Sequence, residues 1–275
     1  MIGKRRGIFF KDTPSQIRLS KPVFIKMTNE LTLANASAKE RLTDRFKQMG
    51  FRERISALYD FFEEDKVLLT TSFGTSSAVL LHLVSGVRPA QKVHFINTLH
   101  HFPETLDYKN QLTELLGLDV VEVFPHFRSH ELTEKHRLWE THPEVCCHLN
   151  KVVPMERLKA ACMVWMSGVM AHQSGYRKHL DIFGSEGGQQ GAFRFYPLLD
   201  LGKEEVRRYL VRHGLPFHPL EERGYGSVGC VHCTQPCAGR DGRWNGKGIT
   251  ECGLHLRGRT TLENATGGLA NDKRN

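Results

Sequence analysis

Four cysteines in two pairs carry the strongest chemical signal in the chain: the tandem Cys146-Cys147 and the C-x-x-C pair Cys230 and Cys233. A C-x-x-C spacing brings two thiolates to one ion, and the tandem pair supplies two more, so the set suits either zinc or a 4Fe-4S cluster. Adjacent ligands are awkward for tetrahedral zinc without excluding it, and four unliganded core cysteines are the bland alternative. Cys252 stands apart, in Glu251-Cys252-Gly253-Leu254-His255. A glycine-flanked segment with Arg243, Lys247 and His255 nearby favours a thiolate nucleophile over a buried thiol or a fifth ligand. Cys162, inside an apolar run read as a strand, and Cys237 suit the bland roles better. The histidines, including His100-His101, His126 and His130, show no clear ligand spacing and receive no role.

A second feature is suited to an anion. An apolar run, Val67 to Thr71, leads into Ser72-Phe73-Gly74-Thr75-Ser76-Ser77 and then into a helical stretch from Ala78 to Val84. In such a strand, loop and helix, backbone N–H groups and hydroxyls point at a phosphate, and the helix N-terminus adds roughly half a positive charge. An ordinary βα turn has the same appearance, and the Gly-Lys-Ser/Thr ending of a Walker loop is missing.

The elements that must position these groups alternate. Leu42, Phe46, Met49, Ile55, Leu58 and Phe62 recur at helical spacing with a break near Gly50, which predicts two helices between Ala38 and Glu63. Short apolar strands follow at Val67 to Thr71, Val93 to Ile96, Val120 to Val123 and Cys162 to Met166. Helices are predicted over Glu104 to Leu116, ended by Gly117, and over Lys203 to His213, ended by Gly214 with Pro216 beyond. Strands alternating with helices imply an α/β fold with a mostly parallel sheet flanked by helices. After Pro219 the chain turns rich in Gly, Cys and Arg, so an irregular segment organised by a metal centre is expected.

Bulk properties narrow the function classes. No apolar run approaches the roughly 18 to 20 residues needed to span a bilayer, so no membrane partner is expected. The formal net charge of +8 suits an anionic partner, nucleic acid or a small phosphorylated substrate. Seven cysteines arranged as adjacent and C-x-x-C pairs are unlike an extracellular disulfide framework, which points to a reducing cytoplasm. The basic first 26 residues lack both a continuous apolar core and a small-residue cleavage site, so no secretory signal is expected; a start-site artefact or disordered arm before Met27 is. The expected organisation is a flexible extension (1–37), a nucleotide-binding α/β domain (38–219), a cluster-binding and catalytic segment (220–256) and a disordered tail (257–275).

In order along the chain, these motifs resemble the assimilatory sulfonucleotide reductase family, the adenylyl sulfate and phosphoadenylyl sulfate reductases, over about residues 65 to 256. The resemblance rests on Ser72-Phe73-Gly74, Phe102-Pro103-Glu104-Thr105, Cys146-Cys147 with Lys151-Val152-Val153-Pro154, and Trp165 through Gln173-Ser174 to Arg177. It continues in Gly224 to Cys230, Cys233-Thr234, Arg240 to Trp244, and Glu251 to His255. It implies an adenine nucleotide α-hydrolase-like fold and a 4Fe-4S cluster on Cys146, Cys147, Cys230 and Cys233. It further implies that Cys252 attacks the sulfur of adenylyl sulfate, expels AMP and forms an S-sulfocysteine that thioredoxin or glutaredoxin cleaves to sulfite. Ser72, Phe73, Gly74, Ser76, Ser77, Lys151, Arg177, Arg240, Arg243 and His255 are the expected substrate contacts, with Lys151, Arg240, Arg243 and His255 offsetting charge. A homo-oligomer is compatible with all of this.

Several positions depart from the family pattern. Ser76-Ser77 stand in place of Glu-Asp, Asn150 in place of Arg, Asn97 in place of an acid, and Met170-Ala171 in place of paired arginines. A loop without carboxylates repels an additional phosphate less, which keeps phosphoadenylyl sulfate as an alternative substrate. Two rival functions are a cluster-bearing tRNA-thiolating enzyme and a non-catalytic nucleic-acid-binding module. The first lacks its expected S-G-G-x-D-S loop, and neither accounts for the Glu251 to His255 motif.

Overall fold

The computed structural model describes residues 36–184, 193–244, 249 and 251–255. Residues 1–35 of the expected extension over 1–37 and the expected tail over 257–275 lie outside the described residues, as does Lys247.

Helices α1 (Ala36–Lys47) and α2 (Phe51–Tyr59) break at Gly50, as their apolar spacing requires, and bury Phe46, Ile55 and Leu58. The first helix thus begins inside the stretch assigned to the extension. Arg54 of α2 is buried, with Nε donating to the Phe46 carbonyl at 2.7 Å and its guanidinium paired with Asp200.

Six strands form one sheet in the order β3-β2-β1-β4-β6-β5. They are β1 (Val67–Thr71), β2 (Val93–Ile96), β3 (Val120–Val123), β4 (Val164–Ser167), β5 (Phe183–Gly184) and β6 (Phe193–Phe195). Every pairing is parallel except β5 with β6. Helices α3 (Ser77–Val87), α4 (Pro103–Leu116) and α9 (Lys203–Arg212) pack with the sheet and with α1 and α2 around a single large core. Covering both faces explains why β1 and β4 read as unbroken apolar runs rather than alternating ones. Gly117 ends α4 with φ +60°, the left-handed conformation that a glycine adopts without steric cost.

Two details correct the sequence reading. β4 starts at Val164, so Cys162 lies before the strand in a half-buried turn rather than inside it. β5 and β6 were not anticipated, because two- and three-residue strands carry too little periodicity to register.

Between β3 and β4 the chain forms short helices: α5 (Phe127–Lys135), α6 (Leu138–Thr141), α7 (Pro143–Cys147), a π-helical turn over His148–Val152, and α8 (Val153–Lys159). From Leu220 to Trp244 the described residues form turns, isolated bridges and one 3-10 turn at Val231–Cys233. No helix among the described residues is long and apolar enough to cross a membrane.

Candidate active site

The strand order reverses at β1, which leads to β2 on one side while β4 lies on the other. In a parallel sheet the crevice at the carboxyl ends of such strands is where ligands bind. A cavity of about 600 Å³ opens there, walled by Thr70 to Ser72 at the end of β1, Ile96 at the end of β2, and Trp165 and Ser167 of β4.

The β1–α3 loop forms its floor. Ser72, Gly74, Ser76 and Ser77 line the cavity, with Ser77 the first residue of α3. Ser76 Oγ accepts from Gln173 Nε2 at 3.3 Å. Phe73 does not line the cavity, contrary to its expected role as a substrate contact. Its backbone takes φ +48°, its amide donates to Thr71 Oγ1 at 3.1 Å, and its ring is driven edge-on against Phe95 in the core.

The four cysteines come from two distant segments and line one small pocket with Thr98, Asn150 and Lys151. Cys146 and Cys147 end α7, where the π-turn widens the helix; Cys230 bridges to His101 and Cys233 closes the 3-10 turn. All four are free and buried. Burial, and then the neighbouring Cys230 and Cys233, pushes the Cys146 thiol up to about 11. Burial raises Cys147 to about 12, against the pull of Lys151. Cys230 is held below the ordinary thiol range: burial opposes this, and Lys151, a Thr98 hydrogen bond and Arg243 outweigh it. Thr98 Oγ1 lies 3.4 Å from Cys230 Sγ, and Asn150 Nδ2 lies 3.6 Å from Cys146 Sγ. Four crowded thiols that cannot all ionise alone, with hydrogen bonds aimed at two sulfurs, are a donor set that fits a soft metal centre or a 4Fe-4S cluster. Cys237 faces the larger cavity instead.

Lys151 lines both pockets. Burial works against its charge, but Cys230, Cys147 and Cys252 outweigh that and hold the ammonium above its ordinary range.

Cys252 is half-buried, lines the cavity, and packs against Trp139, Trp244 and the cysteine group. Its segment is anchored on both sides. Before it, the Glu251 carboxylate is buried and accepts from Arg177 Nε (2.7 Å), Arg177 Nη2 (2.8 Å), Ser174 Oγ (3.0 Å) and Arg240 Nη2 (3.4 Å). Burial opposes its ionisation, yet Arg177 and Arg240 hold the carboxyl below the usual carboxylate range. After it, Gly253 takes φ +85°, and the His255 carbonyl accepts from Tyr176 Oη (2.9 Å) and Arg194 Nη1 (2.6 Å). Sequence reasoning missed Glu251 as an anchor; its place beside Cys252 was the available signal.

The expected substrate contacts therefore divide. Arg177 lines the cavity but spends Nε and Nη2 on Glu251, while Nη1 donates to Gln173. Arg240 lies over the Trp244 ring, and Arg243 donates Nη1 to the Val228 carbonyl at 2.9 Å. Arg243 packs so tightly on Gly229 that a Cβ there would lie 2.0 Å from Nη2. The His255 ring stacks on Trp165 at 5.0 Å. Burial and then Arg177 and Arg194 hold that imidazole well below the ordinary histidine range. Its surroundings therefore disfavour positive charge on His255, against its expected part in offsetting charge.

Comparison with known proteins agrees with this geometry. Residues 66–236 match the phosphoadenosine phosphosulfate reductase domain. The chain belongs to that family. It is 38% identical over 201 residues to an adenosine 5'-phosphosulfate reductase of Bacillus mycoides (strain KBAB4), covering 70% of this chain and 86% of the relative. It is 38% identical over 212 residues to one of Bacillus cereus (strain Q1), covering 74% and 90%. The phosphoadenylyl-sulfate (PAPS) reductase of Candida auris, solved as a phosphate complex, superposes with a TM-score of 0.64 at 24% identity, covering 73% of this chain and 98% of that one. The expected adenine nucleotide α-hydrolase-like fold is accordingly the one found.

Within this reductase family the departures have visible uses here. Asn97 Nδ2 donates to Glu122 at 2.6 Å while its Oδ1 accepts the Leu99 amide at 3.0 Å, closing the turn after β2. Met170 is core. Asn150 ties the Cys146 carbonyl (3.0 Å) to Thr133 Oγ1 (3.2 Å).

Proposed function

We propose that this protein reduces adenylyl sulfate to sulfite and AMP in sulfate assimilation, with Cys252 as the nucleophile and thioredoxin or glutaredoxin as reductant in the cytoplasm. The observation that carries the reading is Cys252 itself, an accessible thiol held between a nucleotide-sized cavity and a four-cysteine pocket by the Arg177–Glu251 pair. The family and the names of the 38% identical relatives support it.

In this reading the hydroxyls and amides of Ser72, Gly74, Ser76 and Ser77 hold the nucleotide phosphate at the start of α3. The Cys252 thiolate forms a bond to the sulfate sulfur as the sulfur–oxygen bond to the AMP phosphate breaks, and AMP leaves with that electron pair. Lys151, Arg240 and Arg243 offset the charge that builds when a thiolate meets a sulfate. A reductant thiolate then attacks Cys252 Sγ, sulfite leaves with the bonding pair, and the reductant's second thiol resolves the mixed disulfide. A 4Fe-4S cluster, held by Cys146, Cys147, Cys230 and Cys233, would position charge beside the cavity rather than carry electrons.

Phosphoadenylyl sulfate is the second reading, favoured by a phosphate loop without carboxylates and by Lys203 and Arg207 on the same cavity. The deciding experiment is sulfite release by anaerobically purified protein with thioredoxin and either nucleotide, with Cys252→Ser and an iron assay alongside. Cys252-dependent sulfite and four irons per chain are expected; no sulfite from either nucleotide despite full iron would overturn the proposal.

A further inference from the structure

Outside the cavity, α5 carries His130 and Glu134 four residues apart, and that spacing puts them on one face of the helix. The face meets His100, on the turn after β2. His100 Nε2 lies 3.3 Å from Glu134 Oε1, and His130 Nε2 lies 4.0 Å from the same oxygen. One ligand atom from each of the three residues falls within 4.8 Å of the others. His100 is only 6% exposed, and its Nε2 makes no hydrogen bond although it faces a carboxylate.

These spacings suit a metal as well as an ion pair. Zinc bonds of about 2.0 to 2.1 Å place tetrahedral ligand atoms about 3.3 Å apart, which is the His100–Glu134 separation, and His130 needs only a small approach. The contacts of His130 also favour one tautomer. Asn150 uses its Nδ2 on the Cys146 carbonyl and Thr133 Oγ1, so its Oδ1, 3.4 Å from His130 Nδ1, accepts the proton there. That leaves the Nε2 lone pair turned towards Glu134, the outer-shell arrangement that orients a metal-binding imidazole.

We propose that His100, His130 and Glu134 form a site for a zinc-class divalent cation, distinct from the four-cysteine pocket. Two imidazoles and a carboxylate are borderline-to-hard donors suited to zinc, with a fourth position left for water at the half-exposed Glu134. Because His100 also lines the cysteine pocket, a bound ion would tie α5 to the turn that carries Thr98 beside Cys230.

The test uses iron-loaded full-length protein, dialysed anaerobically against zinc chloride, with metal content measured by mass spectrometry and zinc-edge X-ray absorption on the parent. One zinc per chain beyond the iron, with nitrogen and oxygen neighbours only, is expected. His130→Ala and Glu134→Gln should each weaken zinc binding roughly tenfold or more with iron content unchanged. Glu134 is half-exposed, so its variant separates loss of a ligand from loss of the fold. No zinc beyond the iron, zinc with sulfur neighbours, or unchanged affinity in both variants would overturn the site, and the parent spectrum decides even without them.

Discussion

Arg177 and Glu251 meet as a two-point ion pair, Nε to Oε1 at 2.7 Å and Nη2 to Oε2 at 2.8 Å, with the carboxylate shielded from solvent. The pair joins the segment after β4 to the residue immediately before Cys252, across 74 positions of sequence. A planar guanidinium facing a carboxylate fixes orientation as well as distance, which is what an attacking thiol on an irregular segment requires.

Glu251→Gln keeps the size of the side chain and removes the charge that neutralises Arg177 and Arg240. Leaving a buried cation unpaired costs about 3 to 5 kcal/mol, so the melting temperature should fall by several degrees. Single-turnover formation of the S-sulfo adduct at Cys252 should slow at least tenfold while iron content stays at the parent value. A variant with parent-like rates would show that the pair does not position Cys252.

Lys151 is the cation shared by the two pockets. Lys151→Gln is expected to lose about 10²-fold in sulfonyl transfer, the scale for removing one donor aimed at developing charge. Cys230 would lose the neighbour that favours its thiolate, so iron retention during gel filtration should drop as well. Rate and iron measured on the same preparation separate the two effects.

Gly229 has no room for a side chain. In Gly229→Ala the new Cβ would lie 2.0 Å from Arg243 Nη2 and 2.4 Å from Cζ, so the guanidinium must leave the Val228 carbonyl. Nucleotide affinity and transfer rate should fall together, to about the level of Arg243→Ala, and the double variant should be no worse than either single one. Additive losses would place the fault elsewhere.

His218 makes stability sensitive to acid. Its Nδ1 accepts the Leu220 amide at 3.2 Å, so its Nε2–H faces Thr105 Oγ1 at 3.1 Å, and a second proton would cost the first bond. Burial pushes it down to about 4. The unfolded chain therefore binds the proton first, below the ordinary histidine value of about 6.5. Stability from this group is whole above that pH and is lost as pH falls towards 4, on the order of 3 kcal/mol in all. Urea midpoints between pH 7 and 4.5 should drop less steeply for His218→Gln than for the parent.

Much of this was legible before any coordinates. The 3.6-residue spacing marked α1, α2, α4 and α9 because each shows one apolar stripe to a shared core, and β1 to β4 stood out as short apolar runs. The cysteine pairs were visible because few other roles demand such spacing. Phe73 and His255 depart from expectation for different reasons. A loop sequence does not reveal which way a side chain turns, and a left-handed backbone at Phe73 sends the ring into the core. Nor does the type of a residue disclose its protonation, since four cations and deep burial around His255 come from other segments.

By itself, then, the order of residues determined the alternating strands and helices, the paired cysteines and the thiol of the Glu251 to His255 segment, because these depend on local spacing and chemical type. Only the tertiary structure decided that Cys252 would stand between cavity and cysteines, that Arg177 would hold Glu251, and that Lys151 would serve both pockets. Those relations join segments tens of residues apart through the sheet's reversal at β1, and charge and burial are properties of the space so enclosed rather than of any stretch of chain.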